Sequence, residues 1–325
     1  MKFVVFKGTA GFGDRLQCLL EVIAYSKATG RFLVVDWRDS EWADDPRDSF
    51  DAFFDLVGLK HFGLDSFLSL FRLVGGEWSV HPRVWREHME EPEFRSWCYK
   101  ELFTGKDHGT LFKSIADFET PDFDEDVVVY VGTGFRGFRY SDFGHIRANR
   151  WLSGFIQDFG RKRGLVRGHY DLLHLRAGSK KWAGGDVALK SLAEKIDAKF
   201  PDLDSYLDAL WDKYCSQGVD GVSHRPLFII SDSAWLAERW IERFTCGTYL
   251  SHSMDTSLSG SGIHQTSTRD LNARGVSRFT VNAECLRDFA VMLNATRVIH
   301  DEVSLFSKMA AACASSVHES WLMTE

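Results

Sequence analysis

The order of the first 36 residues constrains the fold more than any other feature. An apolar run, Lys2-Phe-Val-Val-Phe-Lys7, meets a glycine-rich turn, Gly8-Thr-Ala-Gly-Phe-Gly13. A helical stretch from Asp14 to Thr29 follows, stops at Gly30 and gives way to a second apolar run, Phe32-Leu-Val-Val-Asp36. Leu16, Leu19, Leu20, Ile23 and Ala24 recur at the spacing of one helix face, as in a helix packed on a sheet. Unbroken apolar strands are those covered on both faces, and a helix between two of them makes a β-α-β unit with parallel pairing.

The rhythm continues along the chain. Strands are predicted at Asp126–Val131, Tyr170–Arg176, Pro226–Ser231, Thr248–Leu250 and Arg297–His300. Helices are predicted at Asp202–Ser216, Ala234–Phe244, Asn282–Asn294 and Ser304–Ser316, the last opening on a Ser-Leu-Phe-Ser cap. Residues 45–125 are aromatic and helical in pattern, while 134–150 and 251–278 read as loops. With 325 residues, 44% hydrophobic and 26% charged, the chain fits two domains of roughly 150 residues. The expected division is 1–160 and 161–325, two α/β halves joined near 155–168, with a ligand in the cleft between them.

Charge excludes some partners. A formal net charge of -7 argues against tight nonspecific binding to nucleic acid, which needs a basic face to release counterions. The densest basic group, Arg161-Lys162-Arg163 with Arg167, reads as a solvated interdomain linker. Six cysteines (Cys18, Cys98, Cys215, Cys246, Cys285, Cys313) show no Cys-x-x-Cys spacing, so neither zinc nor a disulfide framework is indicated. The chain opens on a strand rather than a signal peptide, and nothing approaches 18 consecutive apolar residues. The expectation is a protein of the cytoplasm, or peripheral to a membrane. Of the aromatic residues, 14% of the chain, most are assigned to core and a remainder to a sugar or base site.

Two stretches carry chemistry. Gly8-x-x-Gly11-x-Gly13 departs from the dinucleotide pattern G-x-G-x-x-G, which disfavours a dehydrogenase, but a helix N-terminus behind glycines can still receive a phosphate or carboxylate. The second is His174-Leu-Arg-Ala-Gly-Ser-Lys180, where an apolar strand runs out into a loop. Open α/β sheets bind ligands at such strand ends. Arg176 can clamp an anion bidentately, Gly178 lets the backbone approach, and Lys180 adds a point charge. An ordinary strand end with a solvated Arg and Lys fits these seven residues equally well.

Taken together, Gly11-Phe-Gly-Asp-Arg-Leu16 through Ala28-Thr-Gly-Arg-Phe-Leu-Val-Val-Asp-Trp-Arg38, followed by Asp51-Ala-Phe-Phe54, closely resemble the N-terminal motif of the nodulation fucosyltransferases (NodZ) and their α1,6-fucosyltransferase relatives. His174 to Lys180 resembles their second hallmark, Phe228-Ile-Ile-Ser-Asp-Ser233 the third, and Asp288 to Ala310 the fourth. The resemblance implies a GT-B fold: two Rossmann-like domains facing each other across a cleft, acceptor on the N-terminal one, donor nucleotide in the C-terminal one, and no metal. It gives Arg176 the β-phosphate of a GDP-sugar, with Gly178 and Lys180 supporting the same diphosphate. His174 and Asp232 would meet the guanine or its ribose side, and Ser304, Phe306 and Ser307 would cradle phosphate. Gly11, Gly13, Asp14 and Arg15 would face the donor sugar and acceptor.

The implied activity is inverting, metal-independent transfer of a sugar, most simply fucose from GDP-fucose, to a hydroxyl of a glycan or glycoconjugate. No cofactor beyond the donor substrate is implied. Asp14, Asp36 and Glu302 are the candidate general bases, and helix caps or ion pairs are the competing roles for each. Ser179 stands where many relatives have an acid or Asn, and Asp14 where others have Asn, so sugar and acceptor contacts are expected to differ here. The loop 251–278, with His264 and Arg269, is the expected site of substrate differences, His264 reading as a surface residue. Other readings keep the fold with another donor or another acceptor, such as lipopolysaccharide or a non-glycan peptide or modified nucleic acid, or reduce the chain to an inactive nucleotide- or glycan-binding module. Intact His174, Arg176 and Lys180 argue against the last.

Overall fold

The structure is a computed structural model that describes residues 1–8, 11–38, 49–74, 76–83, 85–90, 123–131, 139–176, 202–216, 224–253, 268–301 and 304–323. The chain divides into two compact units, Met1–Ser153 with Ser315–Ser320, and Gly154–Ala314 with Trp321–Glu325. Each is an α/β unit built on a four-stranded parallel sheet, the architecture of the GT-B class.

In unit 1, β1 (Phe3–Lys7), β2 (Phe32–Asp36), β4 (Val80–His81) and β5 (Val127–Val131) lie in the order β2-β1-β5-β4. β3 (Phe54–Leu56) and β6 (Ile146–Ala148) form a separate antiparallel pair. Helix α1 (Phe12–Thr29) crosses from β1 to β2, and Gly30 ends it in the left-handed conformation, φ 70°, that glycine adopts without a Cβ penalty. α2 (Leu64–Val74) and the single turn α3 (Trp85–His88) complete the unit. Behind β2 an aromatic stack forms: Trp37 lies 5.2 Å from Phe50, 5.5 Å from Phe54 and 6.2 Å from Phe12, ring centroid to centroid. Pairs of this kind add about 0.5–1.5 kcal/mol each beyond burial.

The same strand ends bury charge. Lys7 and Asp36 are register partners on β1 and β2, 0% and 1% exposed, with Lys7 Nζ 2.9 Å from Asp36 Oδ2. Nζ also donates to the Met89 carbonyl at 3.2 Å and sits 4.8 Å over the Trp85 ring. Arg38 closes a fork on Asp36, Nε and Nη2 each at 2.9 Å. Burial alone would raise the Asp36 pKa, but the Lys7 ammonium and the Arg38 guanidinium outweigh it and hold the carboxyl below the ordinary range.

In unit 2, β7 (Asp171–Leu175), β8 (Leu227–Ser231), β9 (Thr248–Tyr249) and β10 (Arg297–His300) lie in the order β10-β7-β8-β9, all parallel. Helices in chain order are α4 (Arg150–Arg163), whose first four residues still belong to unit 1, then α5 (Leu203–Ser216), α6 (Ala234–Phe244), α7 (Thr268–Ala273), α8 (Arg278–Asn294) and α9 (Leu305–Cys313). One face of the sheet packs Leu173, Leu175, Ile229 and Ile299 against Tyr206, Leu210, Leu236 and Trp240 of α5 and α6. α8 is buried along most of its length and accepts a hydrogen bond from the Tyr170 hydroxyl at the Val291 carbonyl, 2.7 Å.

Several expectations are corrected. The segment read as a linker, 155–168, is largely helix: α4 runs to Arg163, and the Asn149 carboxamide oxygen accepts the Leu152 N–H at 2.9 Å, capping its start. Arg161, Lys162 and Arg163 are therefore an exposed last helical turn. The loop assigned to 251–278 holds α7, and α8 begins at Arg278 rather than Asn282 because Ser277 caps it, its hydroxyl accepting from Thr280 N–H at 3.1 Å. α1 begins at Phe12, two residues before the expected Asp14, which puts Gly13 on its first turn instead of in the glycine-rich turn. The short strands β3, β4 and β6 fall in stretches read as helical or irregular, since two or three residues carry too little period to register. Trp37, Trp85, Trp240 and Trp321 are all buried in the core.

Asp36→Asn should cost about 3–5 kcal/mol at pH 7 by leaving the Lys7 ammonium buried beside a neutral amide. A depressed carboxyl pKa stabilises the fold above its unfolded value, near 3.9, and that contribution is lost as pH falls through the lower folded value. Urea denaturation should therefore show the deficit of the variant in full at pH 7 and shrinking towards pH 3.

Candidate functional site

In a parallel sheet every strand leaves by the same edge. In unit 2 this brings His174 and Arg176 at the end of β7, Ser231 and Asp232 at the end of β8, and His300 and Asp301 at the end of β10 to one row. β7 has β8 on one side and β10 on the other, so the topological switch point lies between β7 and β10.

Side chains alternate along β7, so Leu173 and Leu175 enter the α5–α6 core while His174 faces the opposite side, the side on which Arg176 continues. The His174 ring lies 5.8 Å from Phe306, whose ring is in turn 5.6 Å from Phe289. His174 is 5% exposed, and its Nδ1 has no hydrogen-bond partner among the described residues. Burial pushes its pKa down to about 4, and the nearby Asp232 and Asp301 carboxylates restore only part of the loss. A neutral imidazole offers one donor and one acceptor, the valence that recognises a base or sugar hydroxyl.

Arg176 is the cation of the row. Its Nη1 lies 3.3 Å from Asp232 Oδ2, and 26% of its side chain remains exposed. The neighbours of Asp232 are committed to the backbone: the Ser231 hydroxyl accepts Ser233 N–H at 3.0 Å, and the Ser233 hydroxyl caps α6 by accepting Leu236 N–H at 3.4 Å. Asp232 is thus the residue of Ser231-Asp-Ser233 that turns to Arg176. The Arg176 N–H donates to the Tyr206 hydroxyl at 2.9 Å.

At the start of α9 the cap is not the predicted one. The Ser304 hydroxyl does not cap the helix; the Asp301 carboxylate accepts Ser304 N–H at 2.9 Å instead. The Ser307 hydroxyl is buried and donates to the Ser304 carbonyl at 3.3 Å. Asp301 and Tyr206 were not among the sequence candidates. An Asp three residues before the helix-opening Ser is a legible capping signal, whereas Tyr206 looks like one apolar position of α5.

Beyond β9, His252 Nε2 lies 2.7 Å from Asp288 Oδ2, and Arg287 Nη2 lies 2.8 Å from Asp288 Oδ1. Burial works against charge on His252, but Asp288 prevails and raises its pKa. Arg287 also covers the Phe159 ring at 4.2 Å. These charges are neutralised within the fold.

In unit 1, Gly11 is the residue before α1 and Gly13 is buried in its first turn. Arg15 is 0% exposed, with Nη1 donating to the Trp37 carbonyl at 2.7 Å. A Cβ on Gly8 would stand 2.9 Å from that same nitrogen, which explains the glycine there by packing. Asp14 is half-buried on the first turn of α1. Asp36 drops out as a general base, because two cations hold it ionised and occupied. Gly178, Ser179, Lys180, His264 and Glu302 lie outside the described residues.

Residues 1–121 match the family Nodulation protein Z (NodZ). Nodulation protein Z of Bradyrhizobium diazoefficiens is 42% identical over 57 residues, a stretch that takes in 17% of this chain and 15% of that protein. Whole-chain similarity is structural. A NodZ α-1,6-fucosyltransferase soaked with GDP-fucose superposes with a TM-score of 0.64 at 18% identity, over 96% of this chain and 93% of its own. Fucosyltransferase NodZ from Bradyrhizobium gives 0.62 at 17%, over 95% and 92%. POFUT1 in complex with GDP gives 0.52 at 14%, over 95% and 93%. The chain is NodZ-like in its first 121 residues and has the fold of these fucosyltransferases throughout.

For a base whose folded pKa is depressed, the unfolded state takes up the proton first as pH falls. His174 should therefore leave stability untouched above about pH 6.5 and erode it between there and about 4, by on the order of 3 kcal/mol in full. Stability of His174→Gln, measured by denaturant titration across that window, should decline less steeply than wild type.

Proposed function

We propose that this chain is an inverting, metal-independent fucosyltransferase that moves fucose from GDP-fucose to a hydroxyl of a glycan or glycoconjugate, with unit 2 binding the donor and unit 1 the acceptor. The observation that carries the reading is Arg176: a partly exposed guanidinium at the strand-end edge of the unit 2 sheet, oriented by Asp232. As the bond from the sugar anomeric carbon to the diphosphate oxygen breaks, negative charge builds on that oxygen. A fixed guanidinium stabilises it where a metal would otherwise serve. Lys180 adds charge to the same diphosphate, Gly178 admits it, and the start of α9 at Ser304, Phe306 and Ser307 receives phosphate. His174 and Asp232 read the guanine and its ribose.

In unit 1, Asp14 takes the proton of the attacking hydroxyl, and Gly11, Gly13 and Arg15 shape the loop and helix start that receive sugar and acceptor. Arg15 does so from behind, through its bond to Trp37. The acidic net charge of -7 and the five free thiols among the described residues fit a cytoplasmic protein that binds no nucleic acid nonspecifically. Among the described residues no helix is long and apolar enough to cross a membrane.

Thermal-shift measurements with GDP, UDP, CMP, TDP and NAD, with and without magnesium, test the donor. A ligand at 100 times its Kd stabilises by about 2.7 kcal/mol. A magnesium-independent shift with GDP alone is expected; a response only to NAD, or to another nucleotide, overturns the assignment. In transfer assays Arg176→Ala should lose roughly 10²–10³ in kcat, and Arg176→Lys should fail to restore it because the bidentate fork is gone. Full activity in Arg176→Ala would remove this residue from the mechanism.

A further inference from the structure

β7 ends at Leu175, so the N–H of Arg176 is the first backbone donor beyond the strand, and something else must satisfy it. The acceptor is the Tyr206 hydroxyl at 2.9 Å. Tyr206 comes from the first turn of α5 and is fully buried, in one core cluster with Leu173, Leu175 and Trp240. Its phenol is also hydrogen-bonded to the side chain of Asp301. Burial and that carboxylate both keep the phenol protonated, so it donates to Asp301 while accepting from Arg176. Asp301, 4% exposed, passes the connection on by accepting Ser304 N–H at 2.9 Å.

We propose that Tyr206 is a positioning residue for the donor diphosphate, tying the backbone at Arg176 to Asp301 and, through Asp301, to Ser304, the residue that opens onto α9. The assignment rests on the donor site proposed above. It follows from the placement of the three groups. Arg176 and the start of α9 sit on different strand connections, after β7 and β10, and a diphosphate held by both requires a fixed distance between them. The sheet fixes the strands only as far as Leu175 and His300. Past those residues the Tyr206 hydroxyl is, among the described residues, a shared partner of both connections. Phenylalanine would fill the same core volume, so the hydroxyl adds register rather than packing. Misplacement of a charged clamp by about 1 Å is enough to cost on the order of 10² in rate.

Tyr206→Phe and Asp301→Asn test the tie in the intact chain. GDP and GMP affinities are measured by calorimetry, and exchange of the Arg176 and Ser304 amides by hydrogen-deuterium exchange. In Tyr206→Phe, GDP affinity should fall roughly tenfold and GMP affinity less than about twofold, since the loss falls on the second phosphate. Both amides should exchange faster, including that of Ser304, which is held through Asp301. Asp301→Asn should reproduce the preference for losing GDP over GMP, and the double variant should bind GDP no worse than the weaker single variant. Asp301→Asn carries the same nucleotide prediction alone if Tyr206→Phe does not fold. Unchanged GDP affinity, equal weakening of GDP and GMP, or additive losses in the double variant overturn the positioning role. Wild-type protein that binds neither nucleotide overturns the donor reading and the positioning role with it; wild-type binding with unaffected variants overturns the positioning role alone.

Discussion

Parallel pairing around β7 is the constraint on which the rest of unit 2 depends. Strands hydrogen-bonded in parallel must all discharge their chains at one edge, while the helices cover the faces of the sheet. Residues far apart in sequence, His174 and Arg176, Asp232, and His300 and Asp301, are thereby forced into one row. Their chemistry is collective because the backbone ladder leaves them no other place. The register partners His174 and His300, and Leu175 and Ser231, mark the last rungs before that row.

Both units bury charge at strand ends, and the contrast separates support from chemistry. In unit 1 Asp36 takes Lys7 at 2.9 Å and Arg38 through a fork, and Lys7 is further held by a carbonyl and an indole face. Nothing in that cluster is left for a ligand, and separating its members is costly because an unpaired charge would remain in a dry site. In unit 2 Arg176 has a 3.3 Å contact to Asp232 and keeps about a quarter of its side chain exposed. A looser, half-open ion pair can accept a phosphate without first paying to strip a buried partner. Tyr206 and Asp301 then fix the backbone beneath it.

The alternation of elements was legible because it rests on local periodicity. β2, α6 and β10 occupy the predicted residues, and most other predicted elements differ by a residue or two at their ends. The misreadings share a cause. α4 was taken for a linker because its polar, basic last turn outweighs the apolar Leu152 and Ile156, both fully buried. α7 is too short to establish a helical period, and the opening turn of α8 is announced only by its Ser277 cap. The Ser-Leu-Phe-Ser start of α9 reads as a helix opening, but the Ser304 hydroxyl makes no cap bond, and the carboxylate that takes the Ser304 N–H, Asp301, stands three residues earlier.

By itself the sequence determined what local chemistry can encode: the β-α-β rhythm, a cationic strand end at Arg176, and motifs that resemble the nodulation fucosyltransferases. Tertiary structure decided what each polar group does, because a hydrogen-bond partner is a matter of distance across the fold and not of neighbours in the chain. Arg15, read as facing substrate, is fully buried with a donor on Trp37, and the N-terminal stretch that most resembles the family builds much of the unit 1 core. Tyr206, with no mark in the sequence, is brought 30 residues along the chain to the Arg176 amide. Periodicity selects which residues are inside; only the packed structure selects which of them meet.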